Sequence, residues 1–251
     1  LIHGSDGESR AKMAPHQLIV LGCGQVGRAL LELAPLGKCA NKSQQIGVLA
    51  VFDSKYGVLP GSSSSGQQQQ LSADALGRIA QCKLDSQSLG SLEGALPFEE
   101  AWPAALAQCG GEGSRVVVAD CTASDATPKL LLEALERPHV GVALANKKPI
   151  SGPQAQFERL VSHDPRFKWE SAVGAGSPFI TSFKRLVSGG DKVHKVAGVF
   201  SGTLGYVMTG LEDGKKLSDV VVEAKAQGFT EPDPRDDLSG QDFARKALIL
   251  A

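Results

Sequence analysis

Gln17-Leu18-Ile19-Val20-Leu21-Gly22-Cys23-Gly24-Gln25-Val26-Gly27 lies close to the start of the chain. A short apolar run with β-branched residues is followed at once by three glycines. Val26, Leu30, Leu31 and Leu33 then recur at helical spacing, so the segment predicts strand, tight turn and helix. In that context Gly22-x-Gly24-x-x-Gly27 carries a dinucleotide logic: small residues let backbone N–H groups approach a pyrophosphate at the positive end of a helix. Gly22, Gly24, Gln25, Val26 and Gly27 are the expected contacts. A glycine turn serving only helix–strand packing is the plainer alternative.

Outward from this point the pattern repeats. Ile46 to Phe52 reads as a second buried strand ending in Asp53. An acid there suits the ribose hydroxyls of NAD, whereas Ser54 and Lys55 suit the extra phosphate of NADP, so the choice of cofactor stays open. Gly61 to Gln70 is a Ser-then-Gln tract with too little apolar surface to pack. Leu71 to Ala80, Pro97 to Cys109 and Pro128 to Leu135 read as helices; Arg115 to Asp120 and Val140 to Ala145 read as continuous apolar strands. Such alternation predicts a Rossmann-type, doubly wound parallel sheet over 17–146, preceded by a tag-like or disordered segment 1–16.

After Asn146 the texture changes. Phe167 to Ala172 and Lys192 to Ser201 are expected strands, the second with period-two alternation. Helices are expected at Pro153 to Val161, Pro178 to Val187, Thr203 to Leu211 and Ser218 to Ala226, which makes 147–251 a second α+β domain. The run Phe243 to Ala251 carries no helix-stop residue, and the chain opens on Leu1, so truncation at both ends is expected.

Composition narrows the function. The 251 residues are 42% hydrophobic and 21% charged, as in ordinary globular chains. Twenty-six Lys plus Arg against twenty-seven Asp plus Glu give a net charge of -1. There is no global basic field for nucleic acid or an anionic membrane. No apolar run approaches the ~20 residues that span a bilayer. Five cysteines without CxxC spacing suggest neither a disulfide framework nor a zinc site, and point to a reducing compartment.

Three segments are chemically loaded. Thr230-Glu231-Pro232-Asp233-Pro234-Arg235-Asp236-Asp237-Leu238-Ser239-Gly240 sets four carboxylates against one arginine, and its two prolines argue against regular helix. An acidic loop of this kind attracts an ammonium group. In the next segment Ser239 reads as the cap of a helix in which Asp242 and Lys246, four apart, share one face. Lys246 can then transfer a proton; a free lysine titrates near ~10.4, so work near neutrality calls for burial or a second cation, for which Lys147 is the candidate. Lys147 follows a parallel-type strand, at the edge where open α/β sheets place ligands. Glu170 to Pro178 joins strand to helix through two glycines; its carboxylate and exposed carbonyls suit a hard cation, although a plain tight turn explains them equally.

With these residues in view, the sequence resembles homoserine dehydrogenase from about Gln17 to Ala251. The resemblance is weak between Asp53 and Gly113 and specific from Asn146 onward. It rests on Gly228-Phe229-Thr230-Glu231-Pro232-Asp233-Pro234-Arg235-Asp236-Asp237-Leu238-Ser239-Gly240 with Asp242 and Ala244-Arg245-Lys246, on Val173-Gly174-Ala175-Gly176, and on Phe200-Ser201-Gly202-Thr203. It implies NAD(P)-dependent interconversion of L-homoserine and L-aspartate 4-semialdehyde, on the route to threonine and methionine. It further implies Lys246 as proton donor or acceptor with Lys147 assisting and touching the cofactor, Glu231, Asp237 and Asp242 as substrate ligands, and Thr122 beside the nicotinamide. A sodium ion would sit on Glu170 and the carbonyls of Val173, Ala175 and Ser177. A homodimer in the cytoplasm or a plastid completes the expectation. Two rivals stand beside it: a thiol-dependent aldehyde dehydrogenase using Cys121, and an inert NADP-binding fragment or regulator.

Overall fold

A computed structural model describes residues 16–34, 46–61, 70–109, 115–230 and 233–251. Its strands are β1 (His16–Leu21), β2 (Ile46–Phe52), β3 (Tyr56–Val58), β4 (Leu96–Pro97), β5 (Arg115–Asp120), β6 (Val140–Leu144) and β7 (Phe167–Lys168). They form one sheet in the order β4-β3-β2-β1-β5-β6-β7. The central β2-β1-β5 trio is parallel, while β3 and β4 add an antiparallel edge. The expected strands at Ile46, Arg115 and Val140 are all present. The edge pair escaped the sequence reading because three- and two-residue strands leave no periodicity to detect.

Chain compaction divides the molecule into two units. The first holds the described residues up to Thr122, with Lys129–Ala143 and His163–Phe167; the second holds Ala123–Pro128, Leu144–Ser162 and Lys168–Ala251. The change of texture read at Asn146 therefore lies just beyond a crossing of the chain, and two short segments interleave.

In the first unit, α1 (Gln25–Leu33) and α2 (Ala73–Leu84) cover one sheet face through Leu31, Leu76, Ile79 and Cys82, packed on Leu18, Val20, Val48 and Val51. Val48 and Val51 share that face although they are an odd number apart. The β1–β2 register slips between Leu18 and Ile19, and this bulge resets the alternation. The opposite face belongs to α3 (Phe98–Ala107) and α4 (Thr127–Leu135). There Phe52 meets Phe98 and Trp102 at centroid distances of 5.1 and 5.7 Å, and Trp102 Nε1 donates to Glu133 at 3.0 Å. Helices on both faces make this the doubly wound α/β sheet read from the sequence.

The second unit is mostly helical: α5 (Gln154–Val161), α6 (Phe179–Ser188), α7 (Gly202–Glu212), α8 (Leu217–Ala226), α9 (Pro234–Leu238) and α10 (Gln241–Leu250). Three expectations need correcting. Lys192–Ser201 pairs with no strand among the described residues; 192–199 are exposed, while Ser201 is buried as the cap of α7. The strand read at Phe167–Ala172 stops at Lys168 and gives way to a 3-10 turn over Glu170–Ala172. The Pro-rich acidic stretch does contain a helix, α9. Pro234 occupies its first turn, where a missing N–H costs nothing, and the Asp233 carboxylate caps it by accepting from Arg235 N at 3.0 Å.

Candidate active site

The glycine turn is built from backbone. Gly22 stands at φ +87°, a left-handed conformation, and a Cβ there would meet Thr122 Cγ2 at 2.8 Å. A Cβ on Gly27 would lie 2.0 Å from the Gly22 carbonyl oxygen, so the return of the chain beneath α1 requires glycine. Gly24 differs: a Cβ there would meet nothing within 4 Å. It caps α1 without any side-chain hydrogen bond, and Gly24, Gln25 and Val26 are exposed. The first-turn N–H groups of α1 have no helical acceptor and open toward solvent, which is the cradle a pyrophosphate fits. Thr122 borders this turn through Gly22, its N and Oγ1 donating to the buried Asp120 carboxylate at 3.0 and 2.7 Å.

Two thiols lie near this loop, and burial disfavours the thiolate of both. Burial pushes Cys23 up to about 12, and burial together with the Asp120 carboxylate does the same to Cys121. At neutral pH the nucleophilic thiolate is negligible, which removes the basis for Cys121 as an acyl-forming residue.

Asp53, at the end of β2, has an internal role. Its Oδ1 accepts from the backbone of Lys55 and Tyr56, both at 2.9 Å; its Oδ2 accepts from Leu89 N at 2.8 Å, Lys83 Nζ at 3.3 Å and Ser88 Oγ at 3.4 Å. Burial works against the charge, but the three backbone donors and Lys83 outweigh it and hold the carboxyl below its ordinary range. Five donors leave this acid little capacity for a ribose. Ser54 and Lys55 beside it are exposed.

The second unit gathers the remaining chemistry on α10 and the loop after β6. Buried Asn146 donates through Nδ2 to Ser124 O at 2.8 Å and Thr127 Oγ1 at 3.3 Å, and its Oδ1 accepts from Lys148 N at 3.1 Å. This fastens the loop from which Lys147 extends. Lys147 Nζ lies 3.1 Å from Asp242 Oδ1, and Lys246 Nζ lies 2.6 Å from Asp242 Oδ2. The two cations expected side by side are therefore bridged by one carboxylate, which stands between them. Burial disfavours ionised Asp242, yet its hydrogen bond from Lys246 and the nearby Lys147 charge prevail and keep it below the usual carboxylate range. Lys246 also donates to the Phe200 carbonyl at 2.8 Å, a contact no side-chain motif signals.

The capping arrangement read for α10 needs correction. Its N-cap is Gly240 at φ +77°, while Ser239 ends α9 and donates from Oγ to Asp236 O. Asp242 is thus released from capping and serves the lysines. Asp237 is buried on α9. Glu231 lies outside the described residues. Glu170 spends its carboxylate on the start of α6, accepting from Thr181 N at 3.0 Å and Oγ1 at 2.6 Å. In the following loop Gly174 and Ala175 are both left-handed, at φ +78° and +51°. No cluster of three or more His, Cys, Asp or Glu able to hold a metal occurs among the described residues.

Residues 178–251 match the family model described as homoserine dehydrogenase. A bifunctional aspartokinase/homoserine dehydrogenase 1 of Zea mays, chloroplastic by name, is 44% identical over 54% of this chain and 15% of its own length. A homoserine dehydrogenase of Schizosaccharomyces pombe is 38% identical over 54% of this chain and 38% of its own. The chain thus spans well under half the length of these curated relatives. Among solved structures, a hyperthermophilic archaeal homoserine dehydrogenase in complex with NADPH superposes with a TM-score of 0.69 at 22% identity, over 93% of this chain and 68% of that one. That likeness speaks for the fold. The family model and the curated relatives bear the name of the family that the sequence resembles, and the solved structure shares the fold.

Proposed function

We propose that this chain carries out homoserine dehydrogenase chemistry, interconverting L-homoserine and L-aspartate 4-semialdehyde with a nicotinamide dinucleotide. The observation that carries the proposal is the Lys147–Asp242–Lys246 chain, a pair of ammonium groups held by one buried carboxylate, of which Asp242 and Lys246 lie in the stretch 178–251 that matches the homoserine dehydrogenase family model. Each unit supplies one requirement. In the first, the N-terminus of α1 and the bare Gly24 bind the pyrophosphate, with Gln25, Val26 and Thr122 around it. When bound, the dinucleotide donates or accepts the hydride.

Lys246 handles the proton. In the reducing direction the Lys246 ammonium gives its proton to the aldehyde oxygen as the hydride arrives; in the oxidising direction the amine, having first released a proton to solvent, takes the proton of the homoserine hydroxyl. Asp242 keeps both lysines in place, and Lys147 adds positive charge beside the reacting oxygen. Asp237 and Glu231 meet the substrate ammonium. NADP is the preferred cofactor, because the Asp53 carboxylate is saturated within its own turn while exposed Ser54 and Lys55 suit a 2′-phosphate. A sodium ion on Glu170 and the carbonyls of Val173, Ala175 and Ser177 belongs to the same reading, and the left-handed Ala175 shapes that loop. So does a dimer formed along Lys192–Phe200, where Val193, Val196 and Val199 are exposed. A plastid or cytoplasmic setting accords with the chloroplastic name of the maize relative. No helix among the described residues is long and apolar enough to cross a membrane.

Following the absorbance of reduced nicotinamide with homoserine and either cofactor tests the proposal. Homoserine-dependent reduction is expected, faster with NADP. Intact dinucleotide binding without turnover in either direction would favour an inert binding protein.

A further inference from the structure

Lys246 is grasped by more than its own helix. Asp242, one turn earlier on α10, takes one N–H at 2.6 Å, and the carbonyl of Phe200, 46 residues away in the chain, takes a second at 2.8 Å. Two of the three ammonium donors are thus committed among the described residues, and one is left for a reacting oxygen. The direction of that third donor depends on where the Phe200 carbonyl stands. A side chain one turn of α10 from Lys246 determines this: the ring of Phe243 meets the ring of Phe200 edge-on, with centroids 5.5 Å apart and planes at 75°. Residue 200 is therefore held twice by one helix, through its ring by Phe243 and through its carbonyl by Lys246.

The setting makes this clasp selective. The chain before Phe200 is exposed, with Val199 at 91%, and makes no strand pairing among the described residues. The residue after it, Ser201, is buried and caps α7 by accepting from Leu204 N at 3.0 Å. Phe200 thus joins an exposed segment to a buried helix cap, and both its ring and its carbonyl are held from α10. Phe243 is itself 41% exposed, more than a residue serving only to fill a core. Its edge-to-face contact is directional, which suits orienting a peptide better than filling volume.

We infer that Phe243 is a positioning residue for the proton-transferring lysine, acting by clamping Phe200 so that the carbonyl of residue 200 orients the Lys246 ammonium. The inference rests on the role proposed above for Lys246. Displacement of a reacting group by about 1 Å can cost up to ~100-fold in rate, so the clamp should be visible in turnover and not in affinity.

The test compares Phe243→Ala, Phe243→Leu and Phe243→Tyr in the full chain by homoserine turnover, NADPH binding from nicotinamide fluorescence, melting temperature, and the rate of reductive methylation at Lys246 and Lys147 read by mass spectrometry. In Phe243→Ala, kcat should fall about tenfold with KM for homoserine and Kd for NADPH within about twofold, and Lys246 should methylate several times faster while Lys147 keeps its rate. Phe243→Tyr, which retains the ring, should restore both; Phe243→Leu, which retains bulk alone, should not. Wild-type kcat and Lys246 methylation in a folded Phe243→Ala or Phe243→Leu protein would overturn the inference. So would losses in Phe243→Ala that Phe243→Leu fully repairs, since bulk would then suffice. If the wild-type chain turns over no homoserine, the functional reading fails, and the methylation comparison still decides whether the clamp exists.

Discussion

The glycine turn after β1 and the lysine chain on α10 solve the same problem, holding charge in place, by opposite means. The turn uses no charged side chain. It strips away Cβ atoms so that backbone dipoles gather at the start of α1, and its precision comes from close approach, as at Gly27 beneath the Gly22 carbonyl. The lysine chain depends on long flexible side chains, and its precision comes from neighbours: Asp242 between two ammonium groups, Asn146 under the Lys147 loop, the Phe200 carbonyl on Lys246. A steric site tolerates no added atom. An electrostatic site tolerates bulk but no loss of charge.

Substitutions can break that contrast, and the largest effect belongs to Asp242. Asp242→Ala leaves two partly buried ammonium groups facing each other, at roughly 2–3 kcal/mol of stability, somewhat below the ~3–5 of a fully buried pair because both lysines reach solvent. Turnover should fall at least a hundredfold. Denaturant unfolding alongside the homoserine assay separates the two effects, and a fully active variant would show that the carboxylate is dispensable. The pH dependence carries the same sign. Asp242 is held below its ordinary range in the fold, so its contribution is present at neutral pH and disappears only as pH drops through and below the usual carboxylate range. Unfolding curves at descending pH should show wild type converging on Asp242→Asn.

Gly27→Ala probes the steric side. A methyl 2.0 Å from the Gly22 oxygen forces the turn open, so NADPH affinity should drop at least tenfold while Lys246 methylation in the second unit is unchanged. Fluorescence titration measures the first quantity; unaltered affinity would mean that the close approach is not needed. The smallest effect is expected at Asp53. Asp53→Asn weakens a turn lock, lowering the melting temperature by a few degrees, but the ratio of NADPH to NADH affinity should stay where it was. A swing toward NADPH would show that the acid was reading ribose after all.

The same contrast governs what was legible in the sequence. The backbone-built site announces itself, because glycines spaced between an apolar run and an amphipathic helix mark a turn that needs close backbone approach, and the central strands follow from uninterrupted Val, Ile and Leu. Lys246 and Asp242 were legible as partners from their four-residue spacing, but the carboxylate between two lysines was not, because it joins segments about a hundred residues apart. Asp53 left the cofactor open for a related reason: its position suits a ribose ligand, and only the approach of Ser88 and Leu89 shows its carboxylate engaged within its own turn. Pro234 misled locally, since proline excludes helix interiors yet suits a first turn. The alternation in Lys192–Ser201 stayed unpaired because periodicity describes a face and says nothing of a partner.

If Lys246 moves the proton, Lys246→Met isolates that role, retaining most of the side-chain length and apolar bulk while removing the charge. Homoserine oxidation and NADPH affinity measured on the same preparation decide the matter. Turnover should fall by about a thousandfold or more, with dinucleotide affinity within about twofold of wild type. Turnover within tenfold of wild type would contradict that role.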